Sequence, residues 1–193
     1  RVNRMLSMAK ELVHTKGDTE DFNKRASRLE KYEDISDRME IEIASYLNRC
    51  AEGRLSNEGK RRISAMMAII SEIESIADSY AGVDKILQRK QVSHVHFNEE
   101  IHRNIDTMFE YVQRAMDNML LLLRNMENNT PEDVIVSYNI EREINNMRNN
   151  LRATNIENIK DIKKKKTVIV STIFSSGPTL VLILSNVSMM LAA

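Results

Sequence analysis

The chain has 193 residues, enough for a sizeable core in one or two domains, and its two Pro, five Gly and twelve Met sit among many Glu, Lys, Arg, Asn and Ile. So few breakers among so many helix formers make an all-α class the expectation. The 28 Lys plus Arg balance 28 Asp plus Glu, so no net field recruits nucleic acid, and a single cysteine, Cys50, excludes an internal disulfide.

The sequence opens on Arg1 without the basic stretch and apolar run of a secretory signal, which reads as part of a longer protein or a processed chain. Met5 to Val13 has the spacing of a short amphipathic helix, with Gly17 placed as its C-cap. Thr19 or Asp18 can cap a second helix reaching about Glu52, with Phe22, Leu29, Tyr32, Met39, Ile43, Tyr46 and Cys50 as its apolar seam. On that seam Cys50 reads as a buried small hydrophobe. Gly53 ends the helix. Leu55 to Glu58 starts a third, whose apolar positions are Ile63, Met66, Met67, Ile70, Ile73, Ala77, Tyr80, Val83 and Leu87. It ends near Lys90, and three antiparallel helices with short loops make a bundle.

Gln91 to Phe97 reads as an inter-domain joint, followed by Asn98 with Glu99 and Glu100 at the start of a fourth helix. No cysteine stands near His94, His96 and His102 to complete a four-ligand set, so a polar linker is the better reading. The fourth helix carries Ile101, Ile105, Met108, Val112, Met116, Met119, Leu123 and Met126. Methionines at such seam positions read as core filler. Thr130 as cap and Pro131 at the first helical position open a fifth helix through Ile140, Ile144, Met147 and Leu151 to about Ile159.

After the Lys163–Lys166 run, Thr167 to Ala193 holds no charged residue. Its length meets the rule of roughly 20 residues for a membrane span, and Gly177-Pro178 in its middle counts against one. Two readings stay open: a membrane or buried helix, or a sequence foreign to the domain, since a lysine run is an easy place for a reading-frame slip. Overlaying the chain on itself so that Tyr32 meets Ile140 also brings Ser36 to Ile144, Met39 to Met147 and Ile43 to Leu151, seam on seam. Two three-helix bundles in tandem follow as the expected architecture. The first covers 1–90, the linker 91–97, and the second 98–193 with its uncharged tail 167–193.

Beside the second seam runs an acidic row, Glu33, Asp37 and Glu40, whose members repel one another unless a cation or a facing helix offsets the charge. Glu74 and Asp78 repeat the E-x-x-x-D spacing of Glu33 and Asp37 on the third helix, so packing the two seams could gather these carboxylates. Hard or borderline cations such as Fe, Mn, Zn or Mg satisfy such clusters. The plainer alternative is a set of solvated acids loosely paired with Lys31, Arg38 or Lys85. No Gly-rich phosphate loop, Ser-His-Asp arrangement or G-x-S-x-G is present, so the chain offers no candidate nucleophile and reads as a non-enzyme.

From Met5 to Ile159 the chain resembles the PhoU-like family, in particular the cytoplasmic C-terminal region of bacterial sodium/phosphate cotransporters. LEKYEDISDRMEIEIASYL, SEIESIADSY, NNTPED and NIEREINNMRNNL carry the likeness. The resemblance implies a six-helix, all-α fold and a metal cluster, often iron or zinc, on the E-x-x-x-D motifs, with Glu33, Asp37, Glu74 and Asp78 as ligands. It also implies a regulatory role on the cytoplasmic side of the inner membrane, with the transmembrane part of a phosphate transporter as partner. The second repeat departs from the pattern, with Asn145 in place of an acid and only Glu141 and Glu143 left for a second site. Two other readings are a stand-alone phosphate-signalling regulator of the same fold and a structural bundle that forms homo-oligomers through methionine-rich faces.

Overall fold

The computed structural model describes residues 1–17, 19–92, 97–125 and 128–158, without the side chains of 134, 152 and 154–158. Asp18, His94, His96, Met126 and the tail 167–193 lie outside the described residues, as do the expectations placed on them. The protein is all-α: α1 (Val2–His14), α2 (Glu20–Ala51), α3 (Asn57–Val92), α4 (Glu99–Arg124) and α5 (Pro131–Asn158).

Helix α1 buries Met5, Leu6, Met8, Ala9, Leu12 and Val13, a face wide enough to meet several neighbours at once. It packs on α2, α3 and α4, while α2 packs on α3 and α4 on α5. The buried side chains of all five helices join into one continuous core. Each fully buried Leu or Met there contributes about 1.5–3 kcal/mol of apolar burial, so the short α1 carries stability out of proportion to its length.

The helix ends follow local chemistry. Thr19 Oγ1 accepts from the Phe22 N–H at 3.1 Å and caps α2. Helix α1 closes on Thr15, whose backbone is extended, rather than on Gly17. Gly17 serves another need: a Cβ there would run into the Gln91 side chain at the end of α3. Asn98 Oδ1 accepts from the Ile101 N–H at 2.9 Å and caps α4. Replacing it as Asn98→Ala is expected to cost about 1 kcal/mol, read from urea unfolding followed by far-ultraviolet circular dichroism. At α5 the expected cap is inverted. The Asp133 carboxylate accepts from both the Thr130 N–H (2.8 Å) and its hydroxyl (2.9 Å), and these bonds hold the Asp133 carboxyl below the usual range.

The seams of α4 and α5 lie inward as expected, with Ile105, Met108, Val112, Met116, Met119, Ile140, Ile144 and Leu151 buried. The seam of α2 does not hold over its length. Phe22 and Leu29 are buried, whereas Met39 is 40% exposed, Ile43 37% and Tyr46 59%; Cys50 is half-buried rather than enclosed. At 1.5 Å per residue, the 32 residues of α2 span about 48 Å and the 36 of α3 about 54 Å, against about 20 Å for the 13 of α1. The start of α1 lies level with Met39, where Arg1 donates to the sulfur at 3.1 Å. Past that level α2 and α3 run on as a pair whose α1-side face no described helix covers, and Met66 is exposed there. Helix α3 itself continues through Gln91 and Val92, into the expected linker, and Phe97 packs against the core. No described helix is long and apolar enough to cross a membrane.

Candidate functional site

Glu33, Asp37 and Glu40 recur at helical steps along one flank of α2, and Glu74 and Asp78 along one flank of α3. The short α2–α3 connection folds the helices back on each other, and the resulting register decides which acids meet. Glu33 senses Asp78 across the interface, while Glu74 senses Asp37 and Glu40. The four sequence-predicted carboxylates are thus brought into one electrostatic cluster, with Glu40 as an added member. Burial raises the Glu33 carboxyl above the usual range, and the charges of Asp37, Asp78 and Asp34 raise it further, as does a hydrogen bond with Asp78. Glu74 is raised by burial and then by Asp78, Glu40, Asp37 and Glu33.

The core face of the hairpin fixes this placement. Ile76, Ala77 and Tyr80 point inward with Leu29 and Ser36, so Glu74 and Asp78 are carried to the other side of α3, away from α1. Glu33, Asp37, Glu40 and Glu74 are half-buried, and Asp78 is exposed at the rim. Among the described residues none of these acids forms a salt bridge; of the expected partners, Arg38 Nε donates to the Asp34 carbonyl at 3.1 Å and Lys85 acts on Asp84. Asp37 Oδ1 is buried without a hydrogen-bond partner. Such an oxygen is costly to leave unpaired, and a proton, a neutral donor or a cation would satisfy it, the cation also offsetting the charge of the neighbouring acids.

Oxygen-rich, anionic and partly desolvated, the donor set fits a hard or borderline cation. Among the described residues no three His, Cys, Asp or Glu side chains already close around one point, so holding an ion requires carboxylate rotation toward the Asp37 oxygen. The acidic groups also reach nearly two turns further along α3 than the motifs indicate, to Asp84. Burial raises the Asp84 carboxyl; Gln88 donates to its Oδ2 at 2.7 Å, and its Oδ1 is a second buried oxygen without a partner. The continuation of the α2 row to Glu30, which acts on Asp84, was the available signal.

The second half of the described chain forms no comparable cluster. Glu143 is engaged by Arg114 at 2.8 Å, and Asn145 supplies no charge. Fold and site together define an all-α helical protein with an unneutralised carboxylate cluster along the α2–α3 seam. No family model, curated protein or solved structure matches the chain.

Proposed function

We propose that this chain is a PhoU-like regulatory domain on the cytoplasmic side of a bacterial sodium/phosphate cotransporter, built as two three-helix bundles in tandem. In this reading it offers a helical face to the transmembrane part of the transporter and modulates phosphate uptake. The observation that carries it is the meeting of both E-x-x-x-D motifs across α2 and α3 with Asp37 Oδ1 buried and unpaired.

Glu33, Asp37, Glu74 and Asp78 would hold the metal, iron or zinc, with Glu40 beside them. A bound cation would supply charge neutralisation, a structural role rather than a catalytic one. The chain's own part is to hold anionic oxygens on two helices at a fixed register, so that their mutual repulsion reports whether the site is satisfied. The resemblance at Leu29–Leu47 and Ser71–Tyr80 supports the transporter assignment.

Phosphate uptake by cells producing the transporter with this domain intact, or carrying Glu33→Gln with Asp37→Asn, tests the reading. Uptake in the variant is expected to lose its dependence on external phosphate. Unchanged uptake and unchanged regulation in a variant present at normal abundance would count against the assignment.

A further inference from the structure

Where α1 meets α4, a cluster of ionisable groups gathers that the carboxylate site does not use. His14, at the end of α1, lies with Nε2 2.8 Å from Asp106 Oδ1 on α4, and Lys10 Nζ is 3.6 Å from the same oxygen. The His14 ring lies against that of His102, tilted by 30° with centroids 5.2 Å apart. Phe97 meets His102 edge-on at 5.8 Å, and Lys90 of α3 lies over the Phe97 ring at 4.1 Å. His102 Nδ1 is buried with no hydrogen-bond partner. Near the other end of the contact, Gln113 of α4 donates to Asn3 of α1 at 2.9 Å.

We infer that this junction is a pH-sensitive contact, in which protonation of His102 loosens α4 and α5 from α1, α2 and α3 while the helices themselves stay folded. The groups acting on His102 are His14 of α1, Lys90 of α3 and Asp106 of α4. A proton on His102 adds a cation beside the His14 ring and near Lys90, and the facing carboxylate is already shared by His14 and Lys10. Burial would raise Asp106, but the His14 hydrogen bond and charge, together with Lys10, outweigh it and hold the carboxyl below its usual range. Asp106 therefore stays ionised through the pH range in which histidine titrates, but its pull on a charged His102 is weaker than the opposing effects of burial, His14 and Lys90.

The position of the junction makes the effect one of opening rather than unfolding. Among the described helices, α4 packs on α1 and α5, whereas α2 and α3 pack on α1 and each other. Losing the α1–α4 contact leaves both groups with their internal packing. Burial, then His14 and Lys90, lower the His102 value below its ordinary one. For a base with a lowered folded value, the closed junction is unpenalised above the ordinary histidine value of about 6.5 and weakens as pH falls through it.

Small-angle scattering of the full chain at about pH 7.5 and about pH 5, with circular dichroism on the same samples, tests the inference. The radius of gyration is expected to rise at the lower pH with helical content retained, and to stay constant in His102→Phe. An unchanged radius in the wild type, or an equal rise in His102→Phe, overturns it. Nuclear magnetic resonance titration of the wild-type ring needs no variant: His102 is expected to titrate below about 6.5, and a value at or above that overturns the inference too.

Discussion

Protein given Mn²⁺, Fe²⁺ or Zn²⁺ at about a hundred times its dissociation constant is expected to melt about 5–10 °C above the metal-free protein. A ligand bound to the folded state alone adds about 2.7 kcal/mol at that excess, and a chain of this size shifts by about 2–4 °C per kcal/mol. Glu33→Gln with Asp37→Asn should remove both the shift and the metal found by elemental analysis. Without metal the order reverses, because the variant lacks part of the repulsion among Glu33, Asp37, Glu40, Glu74 and Asp78 and melts above the metal-free wild type. The pH dependence carries the same signature. Glu33 and Glu74 have raised values in the folded protein. Their stabilising contribution is full below the unfolded carboxyl value and lost as pH rises through the folded one, so these two carboxyls contribute more stability to the metal-free protein as pH falls, opposed by the lowered values of His102, Asp106 and Asp133. Metal-bound protein moves the other way, since protons compete for the ligands. If melting is indifferent to metal, and the double variant matches the wild type at every pH, the cation site is wrong.

Truncating Leu12 has the largest effect expected of a single apolar substitution. Leu12 is 0% exposed, and among the described helices its own is the one that packs on α2, α3 and α4 together. Leu12→Ala is therefore expected to cost about 3–5 kcal/mol, the transfer of the lost methyl groups plus the cavity they leave. Ile43→Ala, on the stripe of α2 that no described helix covers, should cost well under half of that. Urea unfolding of both variants checks the contrast. Equal losses would mean that the far half of α2 is packed as tightly as the near half.

Much of the helical order is legible in the sequence because it is written locally. Thr19, Asn98 and Pro131 mark starts by capping chemistry, and the apolar steps of α4 name its buried face almost residue for residue. Met39, Ile43 and Tyr46 show where that logic stops. A stripe reports that a helix has a face suited to cover, and says nothing of whether a covering helix of the same length exists. The carboxylate site divides in the same way. The spacing of Glu33 with Asp37 and of Glu74 with Asp78 places each pair on one flank, but that Glu33 lies across from Asp78 depends on the register of two long helices. Register is set by the Glu52–Ser56 connection and the core at Leu29, Ile76 and Tyr80 acting together. The meeting of His14 with His102 had no sequence signal, since it arises only when α4 folds back along α1.

Among the described helices, the far ends of α2 and α3 make a cantilever anchored at one side. Beyond Met39, α2 extends about 18 Å before it ends at Ala51. Its fixed end is where Glu33, Asp37, Glu74 and Asp78 lie. A rotation of only about 5° at that fulcrum carries the Glu52–Ser56 tip through nearly 2 Å, given the same rise of about 1.5 Å per residue. Any change in how the acids are neutralised thus acts at the root of a lever, and its displacement is greatest at the far tip.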